Sequence, residues 1–527
     1  MILPMNCKLI RIGCVEAYPL LIIERLKHMQ AQETIPDPRR WLALIVILAA
    51  TFMAILDTFV VNVAVPSIQR NLHATFAQVE LVIAGYTLVY AVMMITGGRL
   101  GDLYGRKRLF QVGMLSFTVL SLFCGLAPNI NTLIVLRILQ GFSAALMTPQ
   151  VVALIQVNFA AKERGVALGF YGATVGIASI TGQIVGGLLI TSDVFGLGWR
   201  SVFLVNVPIG ILTLIATFLL IGETQQDKEH HLDLVGVAIL TAGLFLLTYP
   251  LIEGHGAGWP LWTFVCLLCS VPVLIAFVFY EARLAKSRGV PLVPLELFKQ
   301  RSFSLGVLTA LTYYSENGAL FFILALYLQF GIGYSPLSAG LTFLPLGLGF
   351  FATSLIAPRF VPRLGPWVLR YGTIIMGIGE IWTILAVQQA GLTANGFQLA
   401  LPLLIVGFGE GIIAAPLMNV VLAGIQARNV GAASGLLTTT IQISQALGIA
   451  VIGLVFFEVL GASVPGHPLA AGHSYGQAFI VALYAIVILA VATLLITSLL
   501  PATKKNQHKA LLQKTEGVNV QEQASRT

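Results

Sequence analysis

The 527-residue sequence predicts an all-α integral membrane fold of fourteen spans, with both termini on the cytoplasmic side. Three observations carry that prediction. Charged residues make up 10% of the chain and hydrophobic residues 57%, with a mean hydropathy of +0.89. Fourteen continuous apolar runs follow one another, each near the roughly 20 residues a spanning helix needs. Basic residues gather in every second loop. Soluble domains carry roughly 25% charged residues, so this chain has too few polar groups to cover a water-facing surface. Continuous rather than alternating runs select helices over barrel strands.

In chain order the runs cover residues 42–66, 78–98, 109–127, 131–154, 165–190, 201–222, 233–252, 261–280, 303–329, 337–358, 367–388, 398–424, 432–459 and 475–500. Turn-rich breaks separate several of them, among them Ala127-Pro128-Asn129, Gly254-His255-Gly256 and Gly331-Ile332-Gly333-Tyr334-Ser335. With the N-terminus inside, the loops after even-numbered spans hold Arg106, Lys107, Arg108, Lys162, Arg164, Lys228, Arg283, Lys286, Arg288, Lys299, Arg301, Arg359, Arg363 and Arg428. The opposite loops hold only Arg70 and Arg200. That asymmetry sets the orientation and supports the span count, since a missed span would scramble the pattern downstream. Residues 1–41 read as a cytoplasmic leader, of which 1–28 are either an extension or a stretch ahead of a start at Met29. Residues 501–527 read as a polar, disordered cytoplasmic tail.

Several function classes fall away. A formal charge of +8 would suggest nucleic-acid binding in a soluble chain, but loop lysines and arginines account for it here, and no nucleic-acid partner is expected. The five cysteines are scattered, and Cys266 and Cys269 sit inside the apolar run from Trp262 to Phe279, so packing is their expected role. No P-loop, metal-ligand cluster or nucleophile motif in a credible context appears. Neither an enzyme, a metal nor a cofactor is expected.

The segment Gly98-Arg99-Leu100-Gly101-Asp102-Leu103-Tyr104-Gly105-Arg106-Lys107-Arg108, between spans two and three, resembles the signature loop of the major facilitator superfamily. Leu103 stands where a basic residue is common in that family. Three further stretches resemble motifs of its fourteen-span drug:proton antiporters. They are Leu56-Asp57-Thr58-Phe59-Val60-Val61-Asn62-Val63-Ala64-Val65-Pro66, Arg137-Ile138-Leu139-Gln140-Gly141, and the run from Trp199-Arg200 through Asn206-Val207-Pro208 to Gly210. Span five resembles the exporter glycine motif, with Gly182, Gly186 and Gly187 present and Gln183 in place of the proline. The resemblance implies two six-helix bundles, residues 42–222 and 303–500, with spans seven and eight and their linkers inserted at 223–302. It also implies transport by alternating access, driven by a proton gradient.

Ionisable side chains inside a membrane cost at least about 2.5–3.5 kcal/mol at mid-helix. Asp57, Arg137, Glu316, Glu380 and Glu410 therefore each require a reason. Asp57 and Arg137 fall about 14 Å and 9 Å from the same membrane face at 1.5 Å per residue, so they can pair. In the superfamily, core helices one, four, seven and ten line the central cavity, and these correspond to spans one, four, nine and twelve. Asp57, Arg137, Glu316 and Glu410 are accordingly expected to face one wet cavity and couple protons to transport, with Glu380 structural. Asn62, Gln150 (beside Pro149), Gln183, Tyr313, Tyr314 and Asn419 are expected to line the substrate cavity; Tyr86, Tyr90, Phe321 and Phe322 either pack in the core or add an aromatic surface for flat cations. Gly98, Asp102, Gly105, Arg106, Lys107 and Arg108 form the conformational loop. The expected function is proton-coupled efflux of small amphipathic compounds, cations among them. A metabolite facilitator and a non-transporting membrane sensor or scaffold stay open as alternatives, as does an adaptor partner.

Overall fold

A computed structural model describes residues 39–159, 161–222, 233–287, 293, 295–390, 395–422, 425, 430–461 and 468–501. The N-terminal leader up to residue 38 and the tail from residue 502 lie outside the described residues, as do Lys228, Arg288 and Arg428. The described residues form fourteen long helices: α1 (Arg40–Leu72), α2 (Phe76–Tyr104), α3 (Arg106–Gly125), α4 (Ile130–Asn158), α5 (Ala161–Ser192), α6 (Gly198–Leu220), α7 (Leu234–Gly256), α8 (Leu261–Lys286), α9 (Arg301–Leu326), α10 (Pro336–Ile356), α11 (Trp367–Ala390), α12 (Gly396–Leu422), α13 (Val430–Gly461) and α14 (Pro468–Ser498).

Local chemistry sets the ends. Thr75 and Gln78 cap α2 reciprocally, each side chain accepting from the other's backbone N–H. Asn129 accepts from Thr132 N at the start of α4, and Ser335 from Ser338 N at the start of α10. Gly254 and Gly256, expected as a break, instead stay helical in α7. The chain turns at Gly258 and Trp259, whose φ values of 73° and 53° are left-handed.

Among the described residues, thirteen helices are long and apolar enough to cross a membrane. The long helix outside that set is α9, where Thr309, Thr312, Ser315, Glu316 and Asn317 dilute the apolar run. Its second half, from Ser315 to Leu326, is buried without interruption. Polarity there faces protein, not lipid.

Packing repeats. Helix α1 packs on α5 and α6, α2 on α4, and α3 on α4 and α6. The same five pairings recur as α9 on α13 and α14, α10 on α12, and α11 on α12 and α14. The leftover hairpin α7–α8 lays α7 against α2 and α13, one helix from each repeat. On α8 the buried set is Thr263, Ser270, Phe277 and Glu281, while Leu268 and Phe279 are more than two-thirds exposed. That inside-out distribution marks a lipid-facing helix.

The two repeats meet at the end bearing the α1–α2 turn. There Phe76 packs on Phe330 and Phe457, Gln329 Nε2 donates to the Val63 carbonyl at 2.9 Å, and Leu337 N donates to Thr191 Oγ1 at 3.1 Å. Gly187 of α5 lies so close to α10 that a methyl there would sit 2.4 Å from the Pro336 carbonyl oxygen. Toward the opposite end α5 loses this contact: a methyl on Gly169 or Gly172 would meet nothing within 4 Å. These contacts between the repeats gather at the end bearing the α1–α2 turn and thin toward the other.

Candidate functional site

Two polar clusters lie in the helical interior, one in each repeat. In the first, α1 supplies Asp57 and α4 supplies Arg137, both 0% exposed. Arg137 Nη1 donates to Asp57 Oδ2 at 2.5 Å and to Gln140 Oε1 at 2.9 Å, and its Nε donates to the Val82 carbonyl at 3.2 Å. Gln140 Nε2 and Asn206 Nδ2 both donate to Asp57 Oδ1, at 3.2 and 2.8 Å. The guanidinium carbon stands 4.1 Å from the centre of the Tyr86 ring, a cation–π contact. Asp57 thus meets its counter-ion and two amide donors, which offsets the cost of burying a charge. Three sequence stretches singled out separately, around Asp57, Arg137 and Asn206, converge on this one network. Gln140 and Asn206 were missing from the expected site although each lay in a quoted motif. An amide beside a buried ion pair is the signal that could have found them.

In the second cluster, α9 supplies Tyr313, Glu316 and Asn317, α11 supplies Glu380 and α12 supplies Glu410. Asn317 Nδ2 donates to Glu410 Oε1 at 2.9 Å, and Tyr313 Oη donates to the Glu410 carbonyl at 3.2 Å. Glu316 and Glu380 lie within interaction distance of each other, and Glu316, Glu380 and Glu410 are each at most 2% exposed. No lysine or arginine contacts these carboxyls among the described residues. The expectation of one cavity shared by Asp57, Arg137, Glu316 and Glu410 meets a different arrangement. The structure joins Asp57 to Arg137 and Glu410 to Asn317, and the partners of the two groups do not overlap. Asp57 and Glu410 each find their donors inside their own helical repeat, Asp57 from Arg137, Gln140 and Asn206 and Glu410 from Asn317. Glu380, expected as structural, joins the second cluster.

Between the repeats a cavity of about 20 Å³, room for about one water, is lined by Thr58, Phe59, Asn62, Thr87, Phe321 and Gln445, among others. Of the expected lining residues, Asn62 faces this space. Tyr313 and Tyr314 pack edge-to-face at 4.7 Å beside the second cluster. Gln183 is fully buried where α5 meets α10, with neither amide atom hydrogen-bonded. Gln150 lies elsewhere: its Nε2 donates to the Gly97 carbonyl at 2.7 Å. Asn419 is exposed. Phe321 stacks on Phe343 at 5.3 Å.

The signature segment continues α2 to Tyr104 and enters α3 through Gly105 alone, whose φ of 96° only glycine adopts without strain. The close approach is made by Gly97 and Gly101, against the Ala145 carbonyl and Gln150 Oε1, rather than by Gly98, which has ordinary contact with Pro149. Arg106 Nη1 reaches the Ala153 carbonyl at 3.4 Å, Lys107 is buried and Arg108 is exposed. The side chain of Asp102 lies outside the described residues.

Residues 47–449 match the family model of the Major Facilitator Superfamily. The chain is 38% identical over 429 residues to a probable actinorhodin transporter of Streptomyces coelicolor, covering 81% of this chain and 74% of that one. It is 35% identical over 436 residues to a puromycin resistance protein of Streptomyces alboniger, covering 82% and 85%. It is 34% identical over 477 residues to a cephamycin export protein of Amycolatopsis lactamdurans, covering 88% and 93%. In fold it is similar to the crystal structure of a bacterial homologue of the human lysosomal transporter Spinster in an inward-facing, unoccupied conformation. That likeness has a TM-score of 0.63 at 20% identity and covers 88% of this chain and 96% of that one. The repeated helical packing, the signature segment and these matches together place the chain in the Major Facilitator Superfamily, as a multi-pass cell-membrane transporter and not an enzyme.

Proposed function

We propose that this protein is a proton-coupled exporter of small amphipathic compounds, cations among them, working by alternating access. The observation that carries the reading is the second cluster: three buried carboxyls with no cationic partner among the described residues. A buried carboxyl that lacks a counter-ion can escape its desolvation cost by taking a proton. Glu316, Glu380 and Glu410 accordingly load and release the proton, while the compensated Asp57–Arg137 pair holds α1 and α4 in register and transmits the change. Export draws support from relatives named as a resistance protein and an export protein, at 35% and 34% identity. We take α9 as the fourteenth span and both termini as cytoplasmic, from the distribution of basic loops. On that orientation the end where contacts between the repeats thin opens to the cytoplasm, and the conformation is ready to accept substrate from inside.

The test is gradient-driven transport in proteoliposomes with a panel of lipophilic cations, on wild type, Glu410→Gln, Glu316→Gln and Asp57→Asn. The reading expects Glu410→Gln to lose acceleration by the pH gradient while keeping substrate exchange at equal pH. Gradient-driven transport unchanged in both glutamate variants would leave a facilitator in place of an antiporter.

A further inference from the structure

At the root of the inserted hairpin two carboxyls meet in a dry setting. Asp233 immediately precedes α7, Glu281 lies near the end of α8, and they are 9% and 0% exposed. Asp233 Oδ1 is fully used, accepting from Gly236 N at 2.9 Å and Tyr280 Oη at 2.8 Å. Glu281 Oε2 accepts from Val293 N at 2.9 Å, which ties the chain beyond α8 back onto the hairpin. The other two oxygens, Asp233 Oδ2 and Glu281 Oε1, have no hydrogen-bond donor. Both crowd the α-carbon of Gly236, where an added methyl would lie 2.3 Å from the first and 2.7 Å from the second. Two bare carboxylate oxygens held together in a low-dielectric setting repel, and a single proton between them converts the contact into a hydrogen bond.

The surroundings limit which charges act on this pair. From the hairpin itself come Asp233, Tyr280 and Glu281. From α2, Arg99 of the signature segment lies within electrostatic reach of Glu281. Helix α13, which also packs on α7, carries no ionisable side chain between Val430 and Phe457.

We propose that Asp233 and Glu281 form a proton-binding site, distinct from the carboxyls inside the two repeats, that clasps the inserted hairpin to the signature segment through Arg99. With one proton the pair carries a single negative charge, which Arg99 balances. A second proton removes the charge that Arg99 faces. Loss of both sets two like charges against each other and drives the root of the hairpin apart, although the Val293 amide still bonds Glu281. Docking of the hairpin on α2 is therefore tightest in a bounded pH window. Because α7 touches one helix from each repeat, occupancy of this site acts at the end where contacts between the repeats thin.

The experiment uses the full chain in nanodiscs, with spin labels on the exposed Leu234 of α7 and the exposed Tyr104 of α2, and reads their separation across pH. Wild type is expected to show a short distance in a central window that lengthens on both sides. Asp233→Asn and Glu281→Gln are each expected to lose the alkaline limb, since an amide bonds a carboxylate without a shared proton. Arg99→Gln should lose the acidic limb. Should the carboxyl variants destabilise the hairpin, Gly236→Ala, which wedges the oxygens apart at unchanged charge, supplies the same test. Infrared difference spectra give a second readout: the C=O stretch of the protonated Asp233–Glu281 pair should vanish in either single variant, while bands from the carboxyls of α9, α11 and α12 persist. A wild-type distance profile in all of these variants, or a carbonyl band untouched by Asp233→Asn and by Glu281→Gln, overturns the proposal.

Discussion

Removing the guanidinium of Arg137 strands Asp57 in an interior where Gln140 and Asn206 alone remain to solvate it. Breaking one side of a buried pair costs about 3–5 kcal/mol, so Arg137→Met is expected to destabilise by that order. Asp57→Asn leaves an amide that still accepts from Asn206 and Gln140, yet it removes the counter-ion of a guanidinium that keeps the Tyr86 face and the Val82 carbonyl. The smaller loss is therefore expected for Asp57→Asn, read as midpoint temperatures in one detergent; equal losses would show that the aromatic and carbonyl contacts do not support Arg137. The pairing itself was legible from two depths along a 1.5 Å rise. The direction of the carboxylates was not, because a side chain's direction depends on which neighbouring helix offers a donor. Placing Asp57 on a cavity-lining helix assigned the helix and missed the face.

Among whole elements, the junction between α2 and α3 rests on one residue. Gly105 holds φ 96° and ψ 126°, and forcing a side chain into such backbone costs of order 1–3 kcal/mol. Gly105→Ala is expected to lower the unfolding midpoint accordingly, whereas Gly98→Ala, whose new methyl would sit 3.6 Å from Pro149, should be nearly silent. Thermal melts of the two variants side by side decide this, and equal losses would refute it. The α5–α10 contact carries a second prediction. A larger side chain at Gly187 would collide with the Pro336 carbonyl, and this contact exists only while the repeats lean together at that end. Gly187→Leu is expected to shift the population toward the opposite opening. Spin labels on Ser192 and Ser335 would report a longer distance; an unchanged distribution would mean the helices re-pack locally instead.

On the scale of the molecule, bounded regions of the surface report on pH. Arg40, at the start of α1, grips Glu163, near the start of α5, through Nε–Oε2 at 3.0 Å and Nη2–Oε1 at 2.8 Å. The hydrogen bonds and charge of Arg40 hold the Glu163 carboxyl below its usual range. A lowered folded-state value gives stability that is present above the ordinary glutamate range and lost as pH falls through the lowered one. Glu163→Gln should therefore flatten the acid limb of the midpoint-against-pH curve and leave the alkaline limb alone. High salt should reduce the difference, since the pair faces solvent. A variant curve parallel to wild type at low salt would show that the pair contributes nothing to holding α1 and α5 together.

The amino-acid sequence by itself determined that this chain lives in a membrane, which stretches become helices, and that a signature segment joins α2 to α3. These properties follow from summed transfer energies and local backbone rules, which do not depend on distant neighbours. Only the tertiary structure decided that the carboxyls divide between two repeats, that Glu380 joins Glu316 and Glu410, and that Gly97 and Gly101 make the tight crossing with α4. Burial satisfies a polar group through whichever helix is adjacent in space, and α1 meets α6 across 149 residues of sequence at the Asn206–Asp57 hydrogen bond.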